Sequence, residues 1–375
     1  MSFRRKLFLL IATRNAVQLL VVRSLNISSK SMKSILHLSA AFRRLNLVVN
    51  ILSHLQTNEA DLVDIYFCYR LLLGRKPDLE GWQHWSRQVT SGMTHSQLVI
   101  GFLESQEFHQ NRRFRTKERL KTDNFVISID PNDDSSVSKS ISQHKTYEPH
   151  VTAFLQRLLK PEHVFLDVGC NIGWFVLLAA SIVKKGKVIG LEPNQNNLQL
   201  LYDSIHENRF DNIVIFPYAA TDKSILLQMD GHGAYGFVHS IVGESNSTYV
   251  QGVTIDELLR EETRLDVIKI DIEGHEPVAL QGMRRTIDKH RPIIVSEFHP
   301  KLIKEFAKQD PQSYLEVFGS MGYSLSVIEF TGKVKDVTGP SEIMTYWHEL
   351  NQQVGTGETM HLDILARPLE NALRS

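Results

Sequence analysis

The run Val164-Phe-Leu-Asp-Val-Gly-Cys-Asn-Ile-Gly173 constrains this chain more than any other stretch. Val164 to Leu166, with Val168, is apolar and short enough for a buried strand, and Trp174 to Val183 reads as an apolar helix. Between them Asp167-x-Gly169-x-Asn171-x-Gly173 must turn the chain, giving a strand, tight turn, helix unit. Glycines at 169 and 173 are expected to let a ligand lie against the backbone, with the first N–H groups of the helix open to polar atoms. A second strand, Lys187 to Leu191, ends in Glu192-Pro193. That carboxylate stands at a strand's C-terminal edge about 20 residues beyond the glycines, where it can accept both hydroxyls of a ribose. The pattern predicts an adenosine-containing cofactor.

The composition of the turn separates two such cofactors. A dinucleotide site needs G-x-G-x-x-G, with a middle glycine against the pyrophosphate, but here that position is Asn171. S-adenosyl-L-methionine has no phosphate. Its amino-acid tail and sulfonium suit an acid, Asp167, and a polar side chain, Asn171, beside the glycines. Asp167, Gly169, Asn171, Gly173, Glu192 and Pro193 are therefore expected to bind it, and a nicotinamide-dependent oxidoreductase is the less favoured alternative.

The chain has 375 residues and balanced charge, 42 Lys plus Arg against 42 Asp plus Glu, so its net charge offers no argument for nucleic acid. Cys68 and Cys170, one in a helix-like run and one in the glycine turn, do not suggest a disulfide or a metal cluster, and no metal is expected. The charge is uneven, however. Residues 1–58 hold no acid, while Arg4, Arg5, Lys6, Arg14, Arg23, Lys30, Lys33, Arg43 and Arg44 are basic. Leu7 to Ala12 is too short for a signal-peptide core or a membrane span. This basic arm is expected to be a solvated or partner-packed helix, with peripheral contact at the inner membrane surface as the alternative, in a cytoplasmic protein.

Residues 59–120 read as a small helical module. Apolar spacing predicts helices over Leu36–Leu55 and Glu59–Leu73, a stop at Gly74-Arg-Lys-Pro77, an N-cap at Asp78 for Leu79–Val89, and a new helix from Thr94. Tyr69-Arg-Leu-Leu-Leu-Gly-Arg-Lys-Pro-Asp78, Gly81-Trp82, Trp85, Ser91-Gly92 and Phe102-Leu-Glu-Ser-Gln-Glu-Phe108 resemble a bacterial module of unknown function, DUF4214, that accompanies cell-surface and glycan-related proteins. Residues 121–146 read as a strand, Phe125–Ile129, placed at an edge or in a hairpin over the cofactor, followed by a polar linker from Pro131 to Thr146. Glu148 is expected to favour the N-terminus of a helix over Tyr147–Leu159, with lining of the site as the alternative.

From 147 to 370 strand and helix patterns alternate as in a doubly wound α/β sheet. After a helix over Asn194–Asn208, a strand at Asn212–Phe216 leads to Tyr218-Ala219-Ala220, whose small side chains suit an adenine edge, with Asp222 in reach of its amino group. Asp230 to Glu244, between strands at Ile225–Met229 and Tyr249–Val253, reads as a substrate-side insertion. Leu265 to Ile270 is the fourth strand and Pro292 to Ser296 the fifth, and Asp271, Glu273, His275, Glu276, Glu297 and His299 gather at their C-terminal ends. Tyr323–Ile328 and His361–Ala366 are expected to close the sheet as an antiparallel pair.

The ordered set Asp167-x-Gly169-x-Asn171-x-Gly173, Glu192-Pro193, Ala219-Ala220-x-Asp222, Thr254-Ile-Asp-Glu-Leu258, Lys269-Ile-Asp-Ile-Glu-Gly274-x-Glu276 and Ser296-Glu297 resembles the FkbM family of S-adenosylmethionine-dependent methyltransferases across roughly residues 147–300. Cys170 replaces a common alanine, and Ala279-Leu-Gln-Gly-Met283 is a looser form of the family's run. The resemblance implies a class I methyltransferase fold, a Rossmann-like seven-stranded sheet behind the small all-α domain. It also implies O-methylation of a sugar, glycan or related small-molecule hydroxyl. Methyl transfer from a sulfonium is an in-line displacement, helped by a base beside a poorly nucleophilic hydroxyl. Candidates are Glu273 or Asp271, then His299 and His275, with Asp271 also placed for the cofactor. A non-catalytic glycan- or membrane-associated scaffold is the competing class, and the oligomeric state is not legible.

Overall fold

The computed structural model describes residues 59–73, 75–110, 117–133, 136–230, 237–240, 248–355 and 357–369. The basic arm and the helix expected over Leu36–Leu55 lie outside them, as does most of the Asp230–Glu244 insertion. The chain divides into two compact units, 1–111 and 112–375.

The first unit holds α1 (Leu62–Leu72), α2 (Leu79–Thr90), α3 (His95–Leu103) and α4 (Gln106–Gln110). Three of these begin at a capping side chain. Asp61 accepts the Val63 and Asp64 amides, Asp78 accepts that of Gly81, and Thr94 forms a reciprocal box with Gln97. Trp85 stacks on Phe102 at 4.6 Å between centroids and Tyr69 meets the same ring edge-on at 4.9 Å, so Trp85 is a packing residue.

In the second unit a hairpin of β1 (Glu118–Lys121) and β2 (Val126–Ile129) is followed by α5 (Ser136–His144) and α6 (Pro149–Leu158). Then β3 (Val164–Val168), α7 (Trp174–Ile182), β4 (Lys187–Leu191), α8 (Gln195–Asn208) and β5 (Ile213–Phe216) form the first half of the sheet. After β6 (Ala219–Ala220) come β7 (Ile225–Asp230), β8 (Phe237–Ser240), β9 (Thr248–Val253) and α9 (Ile255–Leu258). The chain continues through β10 (Val267–Ile270), α10 (Glu276–Gln281), α11 (Arg284–His290), β11 (Ile293–Phe298) and α12 (Pro300–Leu302), whose last turn widens into a π-turn over Ile303–Ala307. It ends with α13 (Pro311–Ser320), β12 (Tyr323–Ile328), β13 (Val334–Asp336), α14 (Pro340–Val354) and β14 (Leu362–Pro368).

Among the described residues the main sheet has eight strands in the order β13-β12-β14-β11-β10-β3-β4-β5. Strands β11, β10, β3, β4 and β5 pair in parallel, while β14 runs antiparallel between β11 and β12. This is the class I methyltransferase arrangement, with the reversal in direction at β14. One strand more than expected is present because the chain after Ile328 folds back as β13 on the outer edge. The parallel strands are buried throughout β3 and β10, as a sheet covered on both faces requires. A second sheet, β6-β9-β7-β8, extends the chain beyond β5.

Two expectations for residues 121–146 need correction. Ser136–His144 is a helix, not linker, and it buries Val137 and Ile141 at helical spacing. The strand expected at an edge or over the cofactor pairs with β1 alone among the described residues, and although Phe125 meets Trp174 edge-on, the hairpin sits mainly elsewhere. It packs on α8, where Asn208 Oδ1 accepts the Val126 amide at 2.8 Å and Ser204 Oγ accepts that of Ser128 at 2.9 Å. Buried Asp203 anchors it further, accepting from Ser128 Oγ at 2.5 Å and pairing with Lys117 and Arg119. The hairpin therefore belongs with the 112–375 unit.

Candidate active site

One cleft opens at the C-terminal ends of β3, β4 and β10, the side of a parallel sheet where ligands bind. It encloses about 900 Å³ of empty space, open mouth included, and is lined by Gly169, Asn171, Glu192, Pro193, Ala219, Ala220, Asp271, Glu273 and His275 among others. Four separate sequence motifs thus meet in one cavity. Asp167 lies buried at the end of β3 outside the lining, and Gly173, at the N-cap of α7, is also outside it.

Glu192 organises the glycine turn. Its Oε2 accepts the Asn171 amide at 2.9 Å, and Oε1 accepts the Asn194 amide at 2.8 Å and Asn197 Nδ2 at 3.3 Å. Oε1 is thus filled, and Oε2 retains acceptor capacity for a further donor such as a ribose hydroxyl. Burial pushes the carboxyl up to about 7, against the hydrogen bonds from Asn194, Asn171 and Asn197 that favour its charged form. Burial likewise pushes Asp167 up to about 7, and both of its carboxylate oxygens are enclosed without a hydrogen-bond partner.

The glycines have a different reason from the one their pattern suggests. Gly169 and Gly173 do have left-handed backbones, with φ of +88° and +95°. A Cβ on Gly169, however, would lie 1.9 Å from the Asp271 carbonyl oxygen, and one on Gly173 would lie 2.2 Å from Leu201 Cδ1. Both positions exclude a side chain because the chain itself comes close, so the glycines shape the turn and ligand approach is secondary.

Lys269 sits at the centre of the acidic side. It is 3% exposed, donates to Asp271 Oδ2 at 2.7 Å, and lies 4.5 Å from the centroid of the Phe175 ring. Burial alone would lower its ammonium, but Asp271, Glu148 and Asp167 outweigh that and raise it, so it is charged. Asp271 is consequently committed to an ion pair. Glu273 lines the cleft in a left-handed conformation, φ +55°, and burial followed by the Asp271 and Glu276 charges raises its carboxyl. Asn171 at φ +51° and Glu148 at φ +39° share this uncommon backbone, so three non-glycine residues around the cleft hold strained conformations.

The remaining acids and histidines separate by role. Glu276 Oε1 ties the loop after β10 by accepting the Ile272 and Gly274 amides, at 2.9 and 3.2 Å. His275 lies against Phe306, with ring centroids 5.8 Å apart. His299 is outside the cleft lining. It occupies the N-cap of α12, its Nδ1 faces the Leu302 amide at 3.5 Å, and it neighbours His361. Asp222 is outside the lining too, with its side chain 39% exposed beside Lys223. Among the described residues no grouping of His, Cys, Asp and Glu is arranged to hold a metal ion.

Glu148, expected to favour the helix N-terminus with lining of the site as the alternative, makes no capping hydrogen bond. Its carboxyl turns inward toward Lys269, Asp271 and Asp363, and burial raises it. Lys269, Tyr147, Trp174, Phe175 and Tyr218 line the cleft without having been singled out as site residues. Alternation along β10 would have found Lys269, because it shares a face with Asp271 and pairs across the sheet with Asp167.

Residues 167–325 match the model of the methyltransferase FkbM domain, and residues 52–112 match that of the domain of unknown function DUF4214. Over residues 167–325, less than half of the chain, the protein is similar to FkbM methyltransferases. It is 28% identical over 159 residues to hexuronic acid methyltransferase AglP of Haloferax volcanii, a match covering 40% of this chain and 62% of that protein. Among solved structures, methyltransferase FkbM from Methylobacillus flagellatus aligns with 74% of this chain and 59% of its own, at 17% identity and a TM-score of 0.35. TYW2 of M. jannaschii, solved in complex with AdoMet, aligns over 67% and 85%, at 12% identity and a TM-score of 0.33. No helix among the described residues is long and apolar enough to cross a membrane.

Proposed function

We propose that this protein transfers a methyl group from S-adenosyl-L-methionine to a hydroxyl oxygen of a sugar or glycan. The observation that carries this reading is the cleft itself, which joins the glycine turn, the Glu192 carboxylate, the small Ala219-Ala220 wall and the Asp271/Glu273 rim in one cavity. The likeness to the FkbM domain and the sugar-methylating relative support the same reading.

The residues present suit that cofactor. Glu192 Oε2 offers an acceptor to a ribose hydroxyl, Ala219 and Ala220 with Tyr218 offer a flat apolar wall to adenine, and the Lys269 and Asp271 charges complement an amino-acid tail. When bound, the cofactor supplies an activated methyl group. The chain's own task is then to align the acceptor oxygen, exclude water and remove one proton. Asp271 is held by Lys269 and His299 serves a helix end, which leaves Glu273, with His275 beside it, as the groups facing the cleft that can take the proton. Elevation of the Glu273 carboxyl brings it toward neutral pH, where a base can both accept and release a proton.

Calorimetry with S-adenosylhomocysteine tests the cofactor site, and labelled methyl transfer to sugar acceptors tests the reaction. Glu192→Ala should abolish binding. Glu273→Gln should leave binding intact while lowering turnover about 100-fold or more, the usual scale for a lost general base. Full activity in Glu273→Gln would reassign the base.

A further inference from the structure

Beyond the cleft, a strip of side chains runs along the same edge of the sheet and opens progressively to solvent. Strands β10, β11 and β12 run in one direction, since β11 and β12 are both antiparallel to β14 between them, so their C-terminal ends share the edge where the cleft lies. Asp271 and Glu297 directly follow the paired residues Ile270 and Ser296, and Glu297 in turn pairs with Asp363 of β14. His361 stands just before β14 with its Nδ1 3.5 Å from Glu297 Oε1. Its ring centroid is 6.2 Å from that of Phe330, in the turn between β12 and β13. Along this strip the Glu297 side chain is 13% exposed, that of His361 30%, and Phe330 47%.

A half-exposed phenyl ring in a turn whose other members are Glu329, Thr331, Gly332 and Lys333 is not explained by burial. The ring is nonetheless held firmly. It meets His150 edge-on at 4.9 Å between centroids, and that buried histidine is hydrogen-bonded through Nε2 to Asp363 Oδ2 at 2.7 Å. The Gly332 amide closes the turn on the Glu329 carbonyl at 2.7 Å, and Arg157 Nη2 of α6 donates to the Gly332 carbonyl at 3.0 Å. A pre-positioned aromatic surface beside an imidazole that can donate and accept suits a sugar, whose C–H face packs on a ring while its hydroxyls bond at the side.

Resting on the methyltransferase reading above, we infer that Phe330, with His361 beside it, is an acceptor subsite that stacks a sugar unit remote from the one methylated. Strand β12 stands three positions from β10 in the sheet, about 14 Å at the usual strand spacing. One sugar ring cannot both sit in the cleft and reach Phe330. The acceptor is therefore an oligosaccharide or polysaccharide laid along the sheet edge, not a free monosaccharide.

The test uses the full-length protein, labelled S-adenosylmethionine and the source organism's own polysaccharides, partly hydrolysed with acid and sorted by length. Label per molecule should be at least about tenfold higher for trisaccharides than for monosaccharides, the scale of one well-placed aromatic anchor. Phe330→Ala should raise the KM for the trisaccharide fraction about tenfold with kcat unchanged and leave monosaccharide labelling as it was. Phe330→Trp, which keeps a stacking surface, should retain the original preference. Equal labelling of monosaccharides and trisaccharides, or an unchanged KM in Phe330→Ala, overturns the inference. Calorimetry with S-adenosylhomocysteine on the same sample keeps the readings apart. No binding there refutes the methyltransferase reading, normal binding with no labelled sugar of any length refutes the sugar acceptor and this subsite with it, and normal binding with label indifferent to length refutes only the subsite.

Discussion

Gly169 and Gly173 both have positive φ, yet they should not be equally intolerant of a side chain. The new Cβ at 169 would overlap a backbone carbonyl, that of Asp271, which can move only if β3 and β10 part. At 173 it would meet the methyl of Leu201, the end of a flexible side chain. Gly169→Ala should therefore destabilise the fold by about 3 kcal/mol or more, and Gly173→Ala by about 1–2 kcal/mol, mostly the backbone term. Urea unfolding of the two variants measures the difference, and equal losses would show that the Asp271 carbonyl yields as easily as a leucine methyl. Glycine spacing is visible in the sequence, but whether a glycine makes room for a ligand or for another strand is not, because the intruding atom comes from about 100 residues away. The same limit makes the inward turn of Glu148 the less favoured of two readings from sequence. Its neighbours Lys269 and Asp363 are remote in the chain, and locally it looks like an acid before a helix. Glu192 was legible because a strand end and a glycine turn define its place with no long-range knowledge.

Element order and strand direction were readable from alternation, caps and glycines, and failures came where polar residues hid an amphipathic face. Ser136–His144 is polar by composition, but Val137 and Ile141 stand four residues apart and are fully enclosed, which is enough to bind a short helix to a core. The hairpin before it shows how a weak element is held. A two-stranded hairpin is marginal alone, and here Asp203 of α8 gathers Ser128, Lys117 and Arg119 onto one buried carboxylate. The Arg119 and Ser128 bonds lower that carboxyl despite burial, so it is ionised. Asp203→Ala should strip several of these bonds together and leave buried Ser128 Oγ without its acceptor, a loss of about 2–3 kcal/mol. Amide exchange across Val126–Ile129 should accelerate far more than exchange in β3 or β10. Uniform acceleration throughout the sheet would mean that Asp203 supports the whole unit and not the hairpin alone.

For the molecule as a whole, the acid-rich cleft couples folding to pH. Asp167 and Glu192 titrate near 7 in the folded chain and in the ordinary carboxylate range when unfolded. Between those limits the native state holds protons that the unfolded chain has released, so stability falls as pH rises from the ordinary carboxylate range to about 7 and is fully present only below that range. Melting temperature of the ligand-free protein should drop from pH 5.5 to 8, with Glu192→Gln flattening part of the slope. A melting temperature that rises over that interval would contradict the burial of these two groups. The cleft also belongs wholly to one unit. Its lining runs from Val137 to His275, and both the sheet that frames it and the hairpin that braces α8 fall after residue 111. A fragment beginning at Arg112 should consequently fold and bind S-adenosylhomocysteine with a Kd within about threefold of the full chain, a difference below 1 kcal/mol. Calorimetry on the fragment makes the comparison. A tenfold or greater loss would mean that residues before 112 support the cofactor pocket, and the helical module could then no longer be treated as independent of the catalytic unit.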